Sequence, residues 1–213
     1  MTRTQRLTLA ATGLGLFMIY LDALIVNVAL PSIQTDFQVG ESGLQWVVTA
    51  YSLGMAVAIM SAGTLADLFG RRRVYLFGIA LFTVSSVACG FAGSIDVLNG
   101  ARAIQGVAAA TVNVTSLALV SATFPDPKLK AWAIGIWTAI ASTALAIGPT
   151  LGGFLVQQSG WRIIFLVNVP VGLAVLVLTR LFVQESRDTR SRTFDWPGQI
   201  LFVAAVGAFA FAV

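Results

Sequence analysis

One polar stretch interrupts an otherwise apolar chain of 213 residues: Gly63-Thr-Leu-Ala-Asp67-Leu-Phe-Gly70-Arg71-Arg72-Arg73. Apolar runs long enough to cross a bilayer lie on both sides of it, which predicts a tight connection between two membrane spans. Three adjacent arginines at the end of a span favour the cytoplasmic side, because moving them across the membrane is unfavourable. The stretch therefore fixes the direction of one span, and the other spans follow by alternation.

The composition is typical of a membrane protein. The residues are 57% hydrophobic and 10% charged, and the chain contains no histidine. Soluble globular proteins carry about 25% charged residues, so a soluble fold is disfavoured. The net charge of +4 does not indicate a nucleic-acid partner, because the basic residues are spread over separate short connections. The single cysteine, Cys89, lies in an apolar run, so neither a disulfide framework nor a metal site is expected.

Six apolar spans predict an all-α transmembrane fold. The predicted spans cover residues 7–30, 44–65, 74–92, 97–124, 131–156 and 161–183. Pro31 is expected to end the first span, and Pro125 and Pro127 the fourth. Residues 1–183 thus form a six-span unit, residues 184–196 a basic cytoplasmic loop, and residues 197–213 a truncated start of a seventh transmembrane helix. The unfinished last run predicts the amino-terminal part of a longer protein.

The basic residues test this layout, since they should collect on the cytoplasmic side. All Lys and Arg residues except Arg102 and Arg162 fall on one side of it. The sequence therefore predicts a multi-pass protein of the plasma (inner) membrane with a cytoplasmic amino terminus. Segments 66–73, 125–130 and 184–195 should face the cytoplasm, and segments 32–43 and 157–160 the outside.

Asp22 lies deep in the first predicted span, about nine residues or roughly 13 Å before Pro31. A charged Asp near mid-bilayer costs about 2.5–3.5 kcal/mol on insertion scales, so it should face the protein interior or water. Arg102 in the fourth span has a matching depth, so we expect the two side chains to pair. Because the chain has no histidine, Asp22 is the only deep acid available to carry a proton. A purely structural acid that ties helices together remains the alternative.

The fourth span carries a pattern of polar and small residues. A stripe of polar and small residues on the fourth span predicts the wall of a cavity, although interhelical hydrogen bonds use the same residue types. Trp137 and Tyr51 are aromatic candidates for a cavity that accepts lipophilic molecules. The stripe comprises Arg102, Gln105, Gly106, Ala109 and Asn113.

The fifth span carries small residues at every fourth position: Ala144, Gly148 and Gly152. This spacing gives a smooth face that another helix can approach closely. Pro149 removes a backbone hydrogen bond and permits a bend beside this face. Gly153 directly follows Gly152, so the two form a glycine pair. Plain helix packing would account for the same pattern.

Several of these motifs resemble the major facilitator superfamily. The stretch 63–73 is similar to that family's loop between its second and third helices, Gly-x-Leu-Ala-Asp-Arg-x-Gly-Arg-Arg/Lys, with Leu68 at a usually basic position. Leu21-Asp22-Ala-Leu-Ile-Val-Asn27-Val-Ala-Leu-Pro31 resembles the first-helix motif of its fourteen-span drug:proton antiporters. Arg102-Ala-Ile-Gln105-Gly106 matches the fourth-helix motif of proton-coupled members. Gly148-Pro149-Thr-Leu-Gly152-Gly153 resembles the antiporter motif of drug exporters, and the segments 161–172 and 194–198 resemble the same branch.

The resemblance implies a six-helix amino-terminal half of a major-facilitator-type transporter. It implies proton-coupled export, by alternating access, of small lipophilic or drug-like molecules. The proton gradient would be the energy source, and no cofactor or enzymatic activity is expected. Asp22 and Arg102 would couple protons, the 63–73 loop would take part in gating, and span 5 would supply a rocking contact. The expected partners are a small-molecule substrate, the lipid bilayer, and a missing carboxy-terminal half or a second copy.

Two alternatives remain open at this point. A metabolite uniporter or carrier of the same fold would need no proton coupling. A natural half-transporter would act as a dimer of this chain.

Overall fold

The computed structural model describes residues 1–187, 197, 198, 201, 202 and 205. Most of the predicted basic loop and of the predicted seventh helix lies outside these residues. Within them, six spans are long and apolar enough to cross a membrane, which confirms the expected all-α transmembrane fold. The helices are α1 (Arg3–Phe37), α2 (Glu41–Phe69), α3 (Arg71–Gly90), α4 (Ile95–Thr123), α5 (Pro127–Ser159), α6 (Ile163–Leu166) and α7 (Asn168–Phe182).

Pro125 follows the end of α4 at Thr123, as expected, but Pro31 and Pro127 do not act where the sequence pattern suggested. α1 passes through Pro31 and ends at Phe37, so the predicted end of the first span was wrong. Proline removes only one backbone donor, and ending a helix early would leave more unpaired groups in an apolar surrounding. Pro127 begins α5 rather than closing α4, and the Asp126 carboxylate caps the helix by accepting from the Leu129 backbone N–H at 2.8 Å.

The hydrogen-bond ladder of the sixth span is broken at Val167, although this residue keeps helical backbone angles and Ile163–Phe182 remains one membrane-spanning stretch. α6 ends at Leu166 and α7 begins at Asn168, with Val167 between them. Pro170 explains the interruption, because it has no N–H to offer to the carbonyl of Leu166 four residues earlier. The predicted sixth span, residues 161–183, is therefore present as one span with a local gap in its hydrogen bonding. The break lies beside the deepest polar residues of the bundle.

The bundle has an interior and an outer layer. α4 packs against α2 and α3, while α1 packs against α5 and α7. The central parts of α1 and α4 are 67% and 61% buried, whereas those of α2 and α5 are each 22% buried. Their exposed apolar side chains, such as Met60 and Phe154, suit a lipid environment or a further protein surface. The interior helices α1 and α4 carry the ionisable pair described next.

Apart from Arg102 and Arg162, the basic residues that the structure describes lie at one end of the bundle, here called the basic end. Gln5 Nε2 donates to the carbonyl of Thr123 at 3.3 Å, so the start of α1 lies beside the end of α4. The backbone N–H of Arg71 donates to the carbonyl of Ser186 at 3.0 Å, so the α2–α3 turn lies beside the end of α7. At the opposite end, Arg162 forms an ion pair with Asp36 at 2.8 Å.

Candidate functional site

Asp22 and Arg102 form a buried ion pair in the middle of the bundle. Arg102 Nη1 donates to Asp22 Oδ2 at 2.5 Å, and the exposed fractions of the two side chains are 1% and 0%. The structure thus brings together the two residues that were matched by depth. Charges buried away from water are tolerated when they are paired and hydrogen-bonded, and this pair is neutral as a whole.

The second carboxylate oxygen belongs to a ring of four hydrogen bonds. Asp22 Oδ1 accepts from Gln105 Nε2 at 3.0 Å and from Asn168 Nδ2 at 2.8 Å. The same two amide nitrogens donate to Ser86 Oγ at 3.1 Å and 2.9 Å. The ring draws its members from α1, α3, α4 and α7, so it joins four helices, and the carboxylate itself is contacted from α4 and α7.

Arg102 makes further contacts with α2 and within its own helix α4. Its Nε donates to the Val47 carbonyl on α2 at 3.2 Å, and its Nη1 also donates to Gln105 Oε1 at 2.8 Å. The Tyr51 ring lies 4.2 Å from the guanidinium carbon, at cation–π distance. Tyr51, considered above as a cavity aromatic, is therefore 5% exposed and packed under the arginine.

Gly106 explains how α2 and α4 come close enough to build this site. A Cβ at Gly106 would overlap the carbonyl oxygen of Tyr51 and approach the Met55 backbone nitrogen to 2.9 Å. The two backbones therefore touch at this level. The close approach places Val47 and Tyr51 of α2 against Arg102, one turn away on α4.

The polar stripe of α4 does not form an open cavity wall in the described residues. Arg102, Gln105, Gly106 and Ala109 are buried among the neighbouring helices, and only Asn113 is half-buried. The alternative interpretation, interhelical hydrogen bonding, describes Gln105 correctly. α2 and α3 pack over α4 on this side, and Asn113 is the member of the stripe that keeps partial exposure.

The stretch 63–73 is more helical than predicted. α2 continues through Phe69, so Gly63 and Asp67 lie within the helix, and Gly70 alone separates it from α3. Gly70 has φ +102°, a value that favours glycine. Arg71 Nη2 lies 3.2 Å from Asp67 Oδ1, so an ion pair bridges the turn.

Glu185 ties this turn to the end of the sixth span. Its Oε1 accepts from the Arg72 backbone N–H at 3.0 Å, and its Oε2 lies 3.9 Å from Arg73 Nε. Arg72 Nη2 also donates to the carbonyl of Arg180 at 2.6 Å. A carboxylate at the amino terminus of α3 satisfies a free N–H and opposes the positive end of the helix dipole.

The small-residue face of α5 packs against α1. Ala144, Gly148 and Gly152 are buried, and a Cβ at Gly148 would contact Leu24 Cβ at 3.4 Å. Pro149 is exposed on another side of α5, and a Cβ at Gly153 would meet open space. Within the described residues, the smooth face therefore serves a contact inside the six-span unit.

Sequence reasoning missed Ser86, Asn168 and Glu185 as members of these clusters. Ser86 and Asn168 are single polar residues in apolar runs, and Asn168 precedes Pro170 by two residues. Both are buried, at 0% and 1% exposure. Glu185 is an acid at the end of a span that leads into a mostly basic segment. A polar residue in an apolar run and an acid beside a basic segment were the sequence signals that could have identified these three residues.

A family model described as Major Facilitator Superfamily matches residues 12–212. The chain therefore belongs to the Major Facilitator Superfamily, which is a family of integral membrane transporters and not of enzymes. The resemblance inferred from the motifs is confirmed.

Relatives of known designation are drug-resistance and efflux proteins. The chain is 68% identical over 213 residues to the multidrug resistance protein Stp of Mycobacterium tuberculosis, covering 100% of this chain and 40% of that protein. It is 51% identical over 213 residues to the drug efflux pump JefA of the same organism, covering 42% of that protein. The chain thus spans about two-fifths of the length of these relatives.

The fold is shared with a solved transporter. A bacterial homologue of the human lysosomal transporter Spinster, in an inward-facing and occupied conformation, superposes with a TM-score of 0.76 at 18% identity. The match covers 92% of this chain and 47% of that chain. At this identity, the likeness supports the fold alone.

Proposed function

We propose that this chain forms the amino-terminal half of a proton-coupled exporter of small lipophilic or drug-like molecules. The observation that carries the proposal is the buried Asp22–Arg102 pair inside a six-span bundle. The relatives Stp and JefA support export as the direction of transport and drug-like molecules as the substrate class. Alternating access in this fold moves two six-helix halves against each other, so the chain would supply one side of the path.

Asp22 is the proton-carrying group in this proposal. When ionised it accepts from Arg102, Gln105 and Asn168. When protonated it no longer balances the guanidinium, which is then buried as an unpaired cation. Relief of that cost requires Arg102 or its helix to move relative to α1. Proton uptake would in this way favour one of the two conformations of the transporter.

The α2–α3 turn would brace one of those conformations. Gly70 and the Asp67–Arg71 pair hold the turn, and Glu185 couples it to the end of the sixth span. The smooth face of α5 at Gly148 and Gly152 would let α5 shift against α1. These contacts lie on the helices that carry or flank the buried pair.

The basic end would face the cytoplasm of a plasma membrane. Arginine and lysine are retained on that side during insertion, and the bundle gathers them at one end. The amino terminus would then be cytoplasmic, as would the α2–α3 turn.

Everted membrane vesicles test the proposal directly. The full-length protein should accumulate a fluorescent lipophilic cation when the interior is acidified, and a protonophore should abolish the accumulation. Uptake that only equilibrates the cation, and that ignores the protonophore, would instead favour the uniporter. The chain alone, purified into liposomes, should not transport, and transport by it would favour the dimeric half-transporter.

A further inference from the structure

The break in the sixth span is connected to Asp22 by hydrogen bonds. Asn168, the first residue of α7, donates from Nδ2 to Asp22 Oδ1 at 2.8 Å and to Ser86 Oγ at 2.9 Å. Ser86 Oγ in turn donates to the carbonyl of Phe165 in α6 at 2.8 Å. A chain of three hydrogen bonds therefore runs from the carboxylate to both sides of the break.

The backbone at this break depends on side-chain partners. α6 has only four residues, and Pro170 offers no N–H to the carbonyl of Leu166. Backbone polar groups at membrane depth need a partner inside the protein. Ser86 donates to the carbonyl of Phe165, the neighbour of Leu166, so the position of the Ser86 hydroxyl affects how firmly the backbone beside the unpaired Leu166 carbonyl is held.

Protonation of Asp22 changes the hydrogen bonds that this network can form. A carboxylate only accepts hydrogen bonds, whereas a carboxylic acid must also donate one. Gln105 is held in its orientation because its Oε1 accepts from Arg102 Nη1 at 2.8 Å. In the described part of the chain, the side-chain hydrogen bonds of Asn168 run through Nδ2 alone. Its amide can therefore turn and present oxygen to the new proton.

We infer that Asn168 is a positioning residue that relays the charge state of Asp22 to the break in the sixth span. When the amide turns, its nitrogen leaves Ser86, and the Ser86 hydroxyl follows the amide oxygen away from the Phe165 carbonyl. Segment 163–170 then loosens when Asp22 is neutral. The proton comes from water and stays on a carboxyl oxygen of Asp22, so only hydrogen bonds are exchanged. The inference rests on the proposed role of Asp22.

The other titratable groups beside Asp22 keep a constant charge near neutral pH. Arg102 faces it from α4, Tyr51 from α2 and Cys89 from α3. Arginine stays charged, and phenols and thiols are ordinarily neutral near pH 7. The described parts of α5, α6 and α7 place no titratable side chain against it.

Amide hydrogen exchange of the full-length protein, followed by mass spectrometry on peptides covering 163–170, tests the inference at one fixed pH. Asp22→Asn mimics the neutral acid and should speed exchange in this segment about tenfold, the effect of one lost hydrogen bond. Asn168→Ala should do the same, and the double variant should not exceed either single variant. Asn99→Ala, the same deletion on α4 outside the network, should leave the segment unchanged.

A second measurement distinguishes a role of Asn168 in transmitting the charge state of Asp22 from a purely structural role. In everted vesicles, Asn168→Ala should flatten the pH dependence of drug efflux and leave the KM for the drug unchanged. If Asn168→Ala does not fold, Ser86→Ala replaces it, since it removes the bond to the Phe165 carbonyl. Unchanged exchange in Asp22→Asn, or additive effects in the double variant, would overturn the inference. Full proton-driven efflux by Asp22→Asn would defeat the proposed function, and the exchange result would stand on its own.

Discussion

At the scale of single residues, the neutrality of the Asp22–Arg102 pair keeps both charges inside the bundle. Each partner alone would be an uncompensated charge at membrane depth. Gln105 and Asn168 both donate to the other oxygen of Asp22, so three donors stabilise the ionised form of this carboxyl group.

Removing the arginine should therefore be costly for stability. Arg102→Ala leaves the Asp22 carboxylate buried without its cation, and such losses cost about 3–5 kcal/mol. Thermal unfolding of the purified full-length protein measures the effect. The double variant Asp22→Asn, Arg102→Ala should be less destabilised than the sum of the two single variants. Strict additivity would show that the contact contributes nothing.

At the scale of elements, the α2–α3 turn is held by one residue of special backbone geometry. Gly70 combines a positive φ with a carboxylate close by, since an added Cβ would lie 2.8 Å from Glu185 Cδ. The glycine thus lets Glu185 reach the start of α3. The turn and the end of the sixth span are linked through this contact.

A matched pair of glycine substitutions tests that link. Gly70→Ala should lower stability by about 1–3 kcal/mol, because alanine is strained at this φ and displaces Glu185. Gly63→Ala is the control, since its Cβ would meet Val114 Cγ1 at an ordinary 3.7 Å within helix α2. The control should be neutral or slightly stabilising. Equal melting temperatures for the two variants would contradict the role assigned to Gly70.

Hydropathy and helix geometry predicted part of this architecture and part of the site. Six spans, the sorting of basic residues and the matched depth of Asp22 and Arg102 follow from span length and helix rise. Ser86 and Asn168 could not be placed, because depth alone does not say which neighbour a side chain faces. Pro31 was overinterpreted, and Pro170 was the visible signal for a break that the hydropathy pattern concealed.

At the scale of the whole molecule, the two ends of the bundle differ in charge. The basic end gathers the turns between α2 and α3 and between α4 and α5, while Asp36 and Arg162 pair at the other end. Because basic residues favour the cytoplasmic side, this difference predicts that the basic end faces the cytoplasm.

Thiol labelling in intact cells tests that orientation. Ser42→Cys at the start of α2 should react with an impermeant reagent from outside. Lys128→Cys at the start of α5 should react only after the membrane is opened. Both positions are exposed, and the native Cys89 is buried, so the background should be low. Labelling of both from outside would contradict the predicted topology.

The central claim is that Asp22 carries the coupled proton, and one substitution tests it most directly. Asp22→Asn keeps the size of the side chain but cannot release a proton. Asp36→Asn is the matched control, since it makes the same change on α1 in an exposed contact with Trp161 and Arg162. Drug accumulation in everted vesicles across a pH gradient is the measurement. We predict that Asp22→Asn abolishes accumulation at normal expression while Asp36→Asn retains it; full proton-driven accumulation by Asp22→Asn would contradict the account.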